Sequence, residues 1–329
     1  MPPLHPHEIP TTPDLVRELL AAQAPEWAGL PVRYVGAGTD NRMYRVGDEY
    51  VVRLPRTRAG SMERESVWLP RIAPLLSQQV PEVLYLGRPS VRFPAPWAVL
   101  RWIEGVEPGP GTVRDWSAFG ADLAGFVREL RAAPLMGARR ADGLGWYRGG
   151  PLRGIAREAG AGLDGCAALG DGVLGLDLVA LREVWEAALA LPEPEGPEGW
   201  LHGDLRPANL LVRDGRLSAV IDFGTLSPGL PDAEHAPVFD LPPEARTAYR
   251  EALALDGPTW ARARGWALAV AAMAVPYYWE TLPDFATESV TRLRNVLADA
   301  AAGDAAARDG VTGDSVTGDG VAGDGGARG

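Results

Sequence analysis

Apolar positions three and four apart mark the first element. After a proline-rich lead, Leu15, Leu19 and Leu20 follow Pro13, and this spacing predicts a short helix over residues 13–24. The period then changes to that of strands. Val32, Tyr34, Met43, Tyr44, Val46, Tyr50, Val51 and Val52 supply strand formers between 31 and 54, with a tight hairpin turn at Gly47-Asp48. Met62, Trp68, Ile72, Leu75 and Leu76 form the apolar stripe of a helix over 61–76. Val83–Leu86 and Trp97–Ile103 are further strands, separated by proline and glycine. Strands with one inserted helix describe a small α+β lobe.

From residue 115 onward the pattern is mainly helical, over 115–132, 176–190, 243–255 and 259–275, with one strand-like interruption at Leu210–Asp222. Residues 135–175 are rich in glycine and arginine and show no readable period. The pattern divides the chain into an N-terminal extension with its helix (1–30), a β-rich lobe (31–103), a helical lobe (104–299) and a tail (300–329). In the tail, Asp304, Asp309, Asp314, Asp319 and Asp324 recur every fifth residue, a period that fits neither a helix face nor a strand face. With only scattered valines to bury, this low-complexity segment is expected to be disordered.

Composition narrows the classes of function. A formal net charge of -11 argues against nucleic acid as a partner, because phosphate backbones need a basic face. All 32 basic residues are arginine, in keeping with a GC-rich coding bias. A single cysteine, Cys166, excludes an internal disulfide framework and a cysteine-based zinc site, and without a nearby histidine it is expected to be inert. The first residues lack a signal-peptide pattern, and the most apolar stretch, Trp266 to Pro276, is too short to span a bilayer. A cytoplasmic, monomeric protein with no membrane partner is expected.

The densest chemistry lies in His202-Gly203-Asp204-Leu205-Arg206-Pro207-Ala208-Asn209, followed by Ile221-Asp222-Phe223-Gly224. Between them Leu210-Leu211-Val212 and Leu217–Ile221 form a hairpin around Asp214-Gly215. With that turn Arg213 faces Arg216, Asn209 faces Val220, and Asp222 falls on the same face two residues on. An amide and a carboxylate without histidine or cysteine make a hard-oxygen site suited to Mg²⁺ carrying phosphates and waters. Asp204 enters the hairpin five residues before Asn209. That is the spacing of the protein-kinase catalytic loop, where the aspartate orients the acceptor hydroxyl and the asparagine binds metal. Taken singly, Asp204 is an ordinary turn cap and Asp222 an ordinary strand end. Both around one hairpin point to phosphoryl transfer.

These segments, HGDLRPANLLV and LSAVIDFG, resemble the aminoglycoside phosphotransferase family, and the likeness extends over roughly residues 30–298. It implies a two-lobed, protein-kinase-like α+β fold with a small β-rich N-terminal lobe and a larger, mainly helical C-terminal lobe. Asp204 would be the catalytic base, Asn209 and Asp222 would hold magnesium, and His202 would brace the loop. ATP or GTP would be the phosphoryl donor. A hydroxyl of a small molecule would accept the γ-phosphoryl group, as on an aminoglycoside or related amino alcohol. Gly36-Ala37-Gly38-Thr39-Asp40-Asn41 joins two strands where backbone amides can cover phosphates, so Gly36, Gly38 and Asn41 are expected there. Arg53 stands where kinase-like proteins place a phosphate-binding lysine, with Glu65 as its partner. Trp102 and Ile103 resemble the hinge whose backbone meets the purine.

The chain departs from the family at two places. One is arginine for lysine at position 53. The other is Leu230, where the family has the aspartate of a Gly-Asp-Pro segment, so that loop bracing must come from Asp232 or Glu234 or be missing. The rival readings are a kinase for another metabolite or antibiotic hydroxyl and, on these two departures, a nucleotide-binding pseudokinase. Candidate acceptor-lining residues are Asp232, Glu234, Trp260, Trp266, Tyr277, Tyr278, Trp279 and Glu280, with Trp266 better explained as core.

Overall fold

The computed structural model describes Leu4 and residues 7–58 and 62–313. Helix α1 (Pro13–Gln23) begins as its sequence dictates, with Pro13 in the first turn and the Thr12 hydroxyl accepting from Leu15 N at 3.1 Å. It lies on a five-stranded antiparallel sheet of order β1-β2-β3-β5-β4, made of β1 (Val32–Ala37), β2 (Asn41–Val46), β3 (Tyr50–Pro55), β4 (Val83–Gly87) and β5 (Trp97–Arg101). Strand alternation sorts the side chains. Val52, Leu54, Trp97 and Val99 pack with Val16, Leu19 and Leu20 of α1, whereas Val51, Ala98 and Leu100 pack on the opposite face with Met62. The N-terminal helix is therefore part of the small lobe's core.

The helix expected over 61–76 is broken into α2 (Glu63–Val67), α3 (Leu69–Ile72) and a 3-10 turn (Ala73–Leu75); Ser61 lies outside the described residues. Pro70 and Pro74 explain the breaks, since each removes one backbone donor from the run. The crossing to the large lobe runs over the hairpin at 210–220. Val106 exchanges backbone bonds with Val212 at 3.0 and 2.7 Å, and a Cβ at Gly105 would sit 2.8 Å from that of Leu211.

The large lobe comprises α4 (Trp116–Ala132), α5 (Ala156–Leu169), α6 (Asp171–Leu174), α7 (Leu178–Ala190), α8 (Pro243–Ala252), α9 (Gly257–Tyr278) and α10 (Pro283–Gly313). Two ladders complete it: β6 (Gly199–Leu201) with β9 (Ser227–Gly229), and the hairpin β7 (Leu210–Arg213) with β8 (Arg216–Val220). The region 135–175 resolves into three 3-10 turns, at Arg140–Asp142, Tyr147–Gly149 and Leu152–Ile155, before α5 and α6.

Helix α9 continues through Pro276, and the core explains how. Pro276 has no N–H for the carbonyl of Ala272, and the Cys166 thiol donates to that oxygen at 3.7 Å. Burial raises the Cys166 pKa to about 11, which fits the expected inert role. Helix α10 runs to Gly313, past residue 300 where the tail was expected to begin. The expectation for 314–329 lies outside the described residues.

Candidate active site

Strand β6 delivers His202-Gly203-Asp204 to the mouth of the cleft. Glu234 lies beneath this turn, its two carboxylate oxygens accepting from His202 N and Gly203 N, each at 2.8 Å. The bracing that Leu230 cannot give is thus supplied by Glu234, while Asp232 is bound to Arg262 at 2.7 Å. Burial raises the Glu234 pKa, opposed by the two backbone donors. His202 accepts from Asp204 N at Nδ1 (3.1 Å) and is 2.9 Å from the Ile221 carbonyl through Nε2, which puts its proton on Nε2. Both nitrogens are spent on the loop, so the histidine is a brace.

Asn209 ends the 3-10 turn Pro207–Asn209. Its Nδ2 donates to the Asp204 carbonyl at 2.8 Å and to Asp204 Oδ2 at 3.2 Å. With the amide nitrogen so used, Oδ1 remains as an acceptor. The hairpin turn is as its sequence requires, with positive φ at Asp214 and Gly215 and Arg213 opposite Arg216. The far end differs from expectation. A bulge at Ser218 pairs Val212 with Leu217 but Leu211 with Ala219, so Leu210 faces Val220 and Asn209 O accepts from Ile221 N at 2.9 Å. Strand alternation therefore does not aim Asp222. Its backbone is left-handed, with φ 64°, a conformation that aspartate tolerates better than most residues and that is concentrated at functional sites.

Arg53 follows from the alternation of β3, on the face opposite Val52 and Leu54. It contacts the Glu65 carboxylate with both Nη atoms, Nη1 donating to Oε1 at 3.0 Å, and Nη1 lies 3.6 Å from Asp222 Oδ1. Burial lowers the Arg53 pKa, and Asp222 acts the other way. Glu65 also accepts from Phe223 N at 2.7 Å, so one carboxylate holds both the strand arginine and the residue after Asp222. The neighbouring Arg64 donates to the carbonyls of Gly143, Leu144, Gly145 and Leu226 at 3.0–3.3 Å, fastening α2 to the large lobe.

The turn Gly36–Asn41 joins β1 to β2 after a bulge at Val35. Gly38 N donates to Asn41 O at 3.0 Å, and nothing lies within 4 Å of a Cβ built on Gly36 or Gly38. Arg56 Nε caps Gly38 O at 2.9 Å, and the buried Glu8 carboxylate binds both Arg56 (3.1 Å) and Arg42 (2.6 Å). Trp102 N donates to Glu49 O at 2.7 Å, and the Arg45 guanidinium lies 4.3 Å from its ring; Ile103 follows, half-buried.

Arg148 escaped the sequence reading. Its Nη1 donates to Asp204 Oδ1 and to the Gly203 carbonyl, each at 2.6 Å. Burial opposes the charged form of Asp204, but Arg148, with a smaller contribution from Arg206, brings its pKa below the usual carboxylate range. The one available signal was local: Trp146-Tyr147-Arg148-Gly149-Gly150 places a lone cation between aromatics and paired glycines.

The acceptor candidates separate. Trp260 is buried against Phe239 with its ring N–H on Asp299, and Trp266 is core, although Tyr147 lies 6.2 Å from it. Asp232 and Glu234 are buried in the bonds described. Trp279 packs on the core, Tyr277 is exposed, and Tyr278 stacks edge-on to Phe285 at 5.0 Å. Among the described residues no group of three or more His, Cys, Asp or Glu can hold a metal alone. An ion at Asn209 and Asp222 would need phosphate oxygens to complete its shell, and the hard-oxygen character of the pair fits magnesium.

Comparison with known proteins places the fold and the family. No curated protein matches the sequence. The fold is shared with the GDP and kanamycin complex of APH(2")-IIia, at 18% identity and TM-score 0.68, covering 86% of this chain and 98% of that one. It is shared also with the macrolide 2'-phosphotransferase MphH from Brachybacterium faecium, at 24% identity and TM-score 0.52, again with 86% and 98% covered. Aminoglycoside phosphotransferase APH(4)-Ia, at 17% identity and TM-score 0.57, covers 87% of this chain and 98% of its own. Residues 31–266 match the Phosphotransferase enzyme family, APH, so the chain belongs to that family and is a phosphotransferase with an alcohol group as acceptor.

Proposed function

We propose that the protein transfers the γ-phosphoryl group of ATP or GTP to a hydroxyl of a small molecule of the kind its structural relatives hold, a glycosidic antibiotic. The observation that carries this is the arrangement at Asp204. Its Oδ1 is held by Arg148 and its Oδ2 lies 3.2 Å from Asn209 Nδ2, so the carboxylate is fixed, ionised and still partly open to the cleft. Such a group accepts the hydroxyl's hydrogen bond and aims its oxygen at phosphorus. As the new O–P bond forms and the bond to the leaving nucleoside diphosphate breaks, the hydroxyl proton passes toward Asp204.

Asn209 and Asp222 are the residues that would hold magnesium, which when bound offsets phosphate charge. Arg53, fixed by Glu65, supports the nucleotide's phosphates, and the turn Gly36–Asn41 covers them. The hinge at Trp102 and Ile103 offers backbone to the base. The pseudokinase reading loses its second motive, because Glu234 provides the bracing that Leu230 does not.

The test is acceptor-dependent nucleotide consumption with Mg²⁺, ATP or GTP and a panel of aminoglycosides, macrolides and other hydroxylated compounds. A product heavier by one phosphoryl group is expected by mass spectrometry. Failure of the protein to bind either nucleotide with Mg²⁺ would sink the reading.

A further inference from the structure

Two neighbouring side chains of α2 reach opposite halves of the site. Successive positions on a helix point about 100° apart, so Arg64 and Glu65 do not serve the same surface. Glu65 reaches the sheet and holds Arg53, whereas Arg64 reaches the large lobe. Together they also grip one turn from both ends. Glu65 accepts from Phe223 N at 2.7 Å, and Arg64 Nη1 donates to Leu226 O at 3.2 Å, on the turn that follows the left-handed Asp222. A helix of five residues has little stability of its own, so these side-chain bonds set where α2 sits.

The other three bonds of Arg64 go to consecutive carbonyls, Leu144 through Nη1 and Gly143 and Gly145 through Nη2, at 3.0–3.3 Å. Those residues lead directly into Trp146-Tyr147-Arg148. The Trp146 ring lies 3.4 Å from a Cβ built on Gly203, and Arg148 Nη1 donates to Gly203 O and to Asp204 Oδ1. The far side of the segment is seated against β9, where a Cβ at Gly229 would fall 2.5 Å from the Cα of Gly149, and Leu230 N donates to Gly149 O at 3.0 Å. Packed on both flanks, the segment passes a displacement at 143–145 on to Arg148. A planar fork with two Nη atoms suits four carbonyls from two separate stretches of chain; the single nitrogen of a lysine does not.

We propose that Arg64 is a positioning residue that links the nucleotide side of the site to the acceptor side. Phosphates settling on Arg53 steady Glu65 and with it α2, and Arg64 then steadies residues 143–148 and, through Arg148, the carboxylate of Asp204. This rests on the reading given above, in which Arg53 supports the phosphates and Asp204 orients the hydroxyl. An acceptor that arrives after the nucleotide meets a segment already ordered, so each ligand favours the other by the same factor.

The experiment is hydrogen exchange read by mass spectrometry on the full chain, with and without Mg²⁺ and ADP or GDP. In the unmodified enzyme the nucleotide is expected to slow exchange in the small lobe, over 36–56, and also at 143–150, the latter by about fivefold. Arg64→Gln should keep the small-lobe response and lose the one at 143–150, and Arg64→Lys should fall between. A merely structural role would speed exchange without nucleotide but leave the nucleotide-dependent difference in place. The inference is overturned if the nucleotide protects the small lobe alone in the unmodified enzyme. It is overturned equally if the response at 143–150 persists undiminished in Arg64→Gln. Absence of protection anywhere with either nucleotide sinks the phosphotransferase reading and this inference with it, whereas protection confined to the small lobe sinks the role of Arg64 alone. Should Arg64→Gln not fold, Arg64→Lys takes its place, and an undiminished response there overturns the inference.

Discussion

The small and large lobes each hold one arginine–carboxylate pair at the site, and the two are built on opposite plans. Arg53 sits on a regular strand, where a period of two puts it under the sheet, and Glu65 comes from the next helix. Arg148 sits on a three-residue turn held by a glycine–glycine contact, and its partner Asp204 comes from a loop 56 residues later. The first pair is closed, with side chains only 5% and 0% exposed; the second stays open, at 15% and 31%. A closed pair fixes architecture. An open pair still has a face for a substrate, so it can be both held and used.

The largest effect expected of this contrast is at Asp204. Asp204→Asn should lower kcat by about two to four decades while leaving nucleotide affinity nearly unchanged. Turnover close to that of the unmodified enzyme would remove Asp204 from the reaction.

Breaking the closed pair should act differently, on nucleotide and fold together. Arg53→Ala leaves Glu65 buried without its cation, a change that typically costs about 3–5 kcal/mol of stability. It should also lower kcat/KM for nucleotide by about one to two decades. Arg53→Lys should recover only part of each, because an ammonium cannot reproduce the forked contact with Glu65. Unchanged melting temperature and kinetics in Arg53→Ala would show that the pair matters to neither.

The open pair makes a prediction for pH. The folded-state pKa of Asp204 is depressed, so its ionised form persists as pH falls and is lost only on passing through that lowered value. The stability contributed by the pair is present above the unfolded aspartate's pKa and disappears over the same acid window. In kcat/KM profiles Arg148→Gln should therefore move the acid limb to higher pH than in the unmodified enzyme. Superimposable limbs would show that Arg148 does not tune Asp204. The smallest effect is expected at the C-terminus. Residues 301–303 are exposed, and deletion of 301–329 should leave turnover unchanged and the melting temperature within about 1 °C. A fall of several degrees would show that this end packs on the body.

What could be read in the sequence follows the same divide. The strands of the small lobe, the pairing of Arg53 with Glu65 and the loop–hairpin order of Asp204, Asn209 and Asp222 were legible because each lies on a regular period or a fixed local spacing. Ser218 was not, since a bulge adds a residue without changing the apolar pattern, and it shifted the partner of Asn209 by one position. Leu230 pointed to a missing brace, and only tertiary contact could choose Glu234 over Asp232. Arg148 was hidden because 3-10 turns carry no amphipathic signature. The proline breaks after α2 were present in the sequence, but the helical stripe across them was the stronger signal.

The carboxylate of Glu8 has a practical consequence. Five residues ahead of α1, it grips Arg42 on β2 and Arg56 just past the end of β3, and Arg56 in turn holds the carbonyl of Gly38. The leader and the loop expected to cover the nucleotide's phosphates are therefore mechanically one piece. A fluorophore or fusion partner attached ahead of Glu8 would sense that loop and strain it, whereas one attached beyond α10 would not. Tag placement is thus an experimental variable for this enzyme, and the N-terminal side is where a nucleotide-sensing reporter belongs.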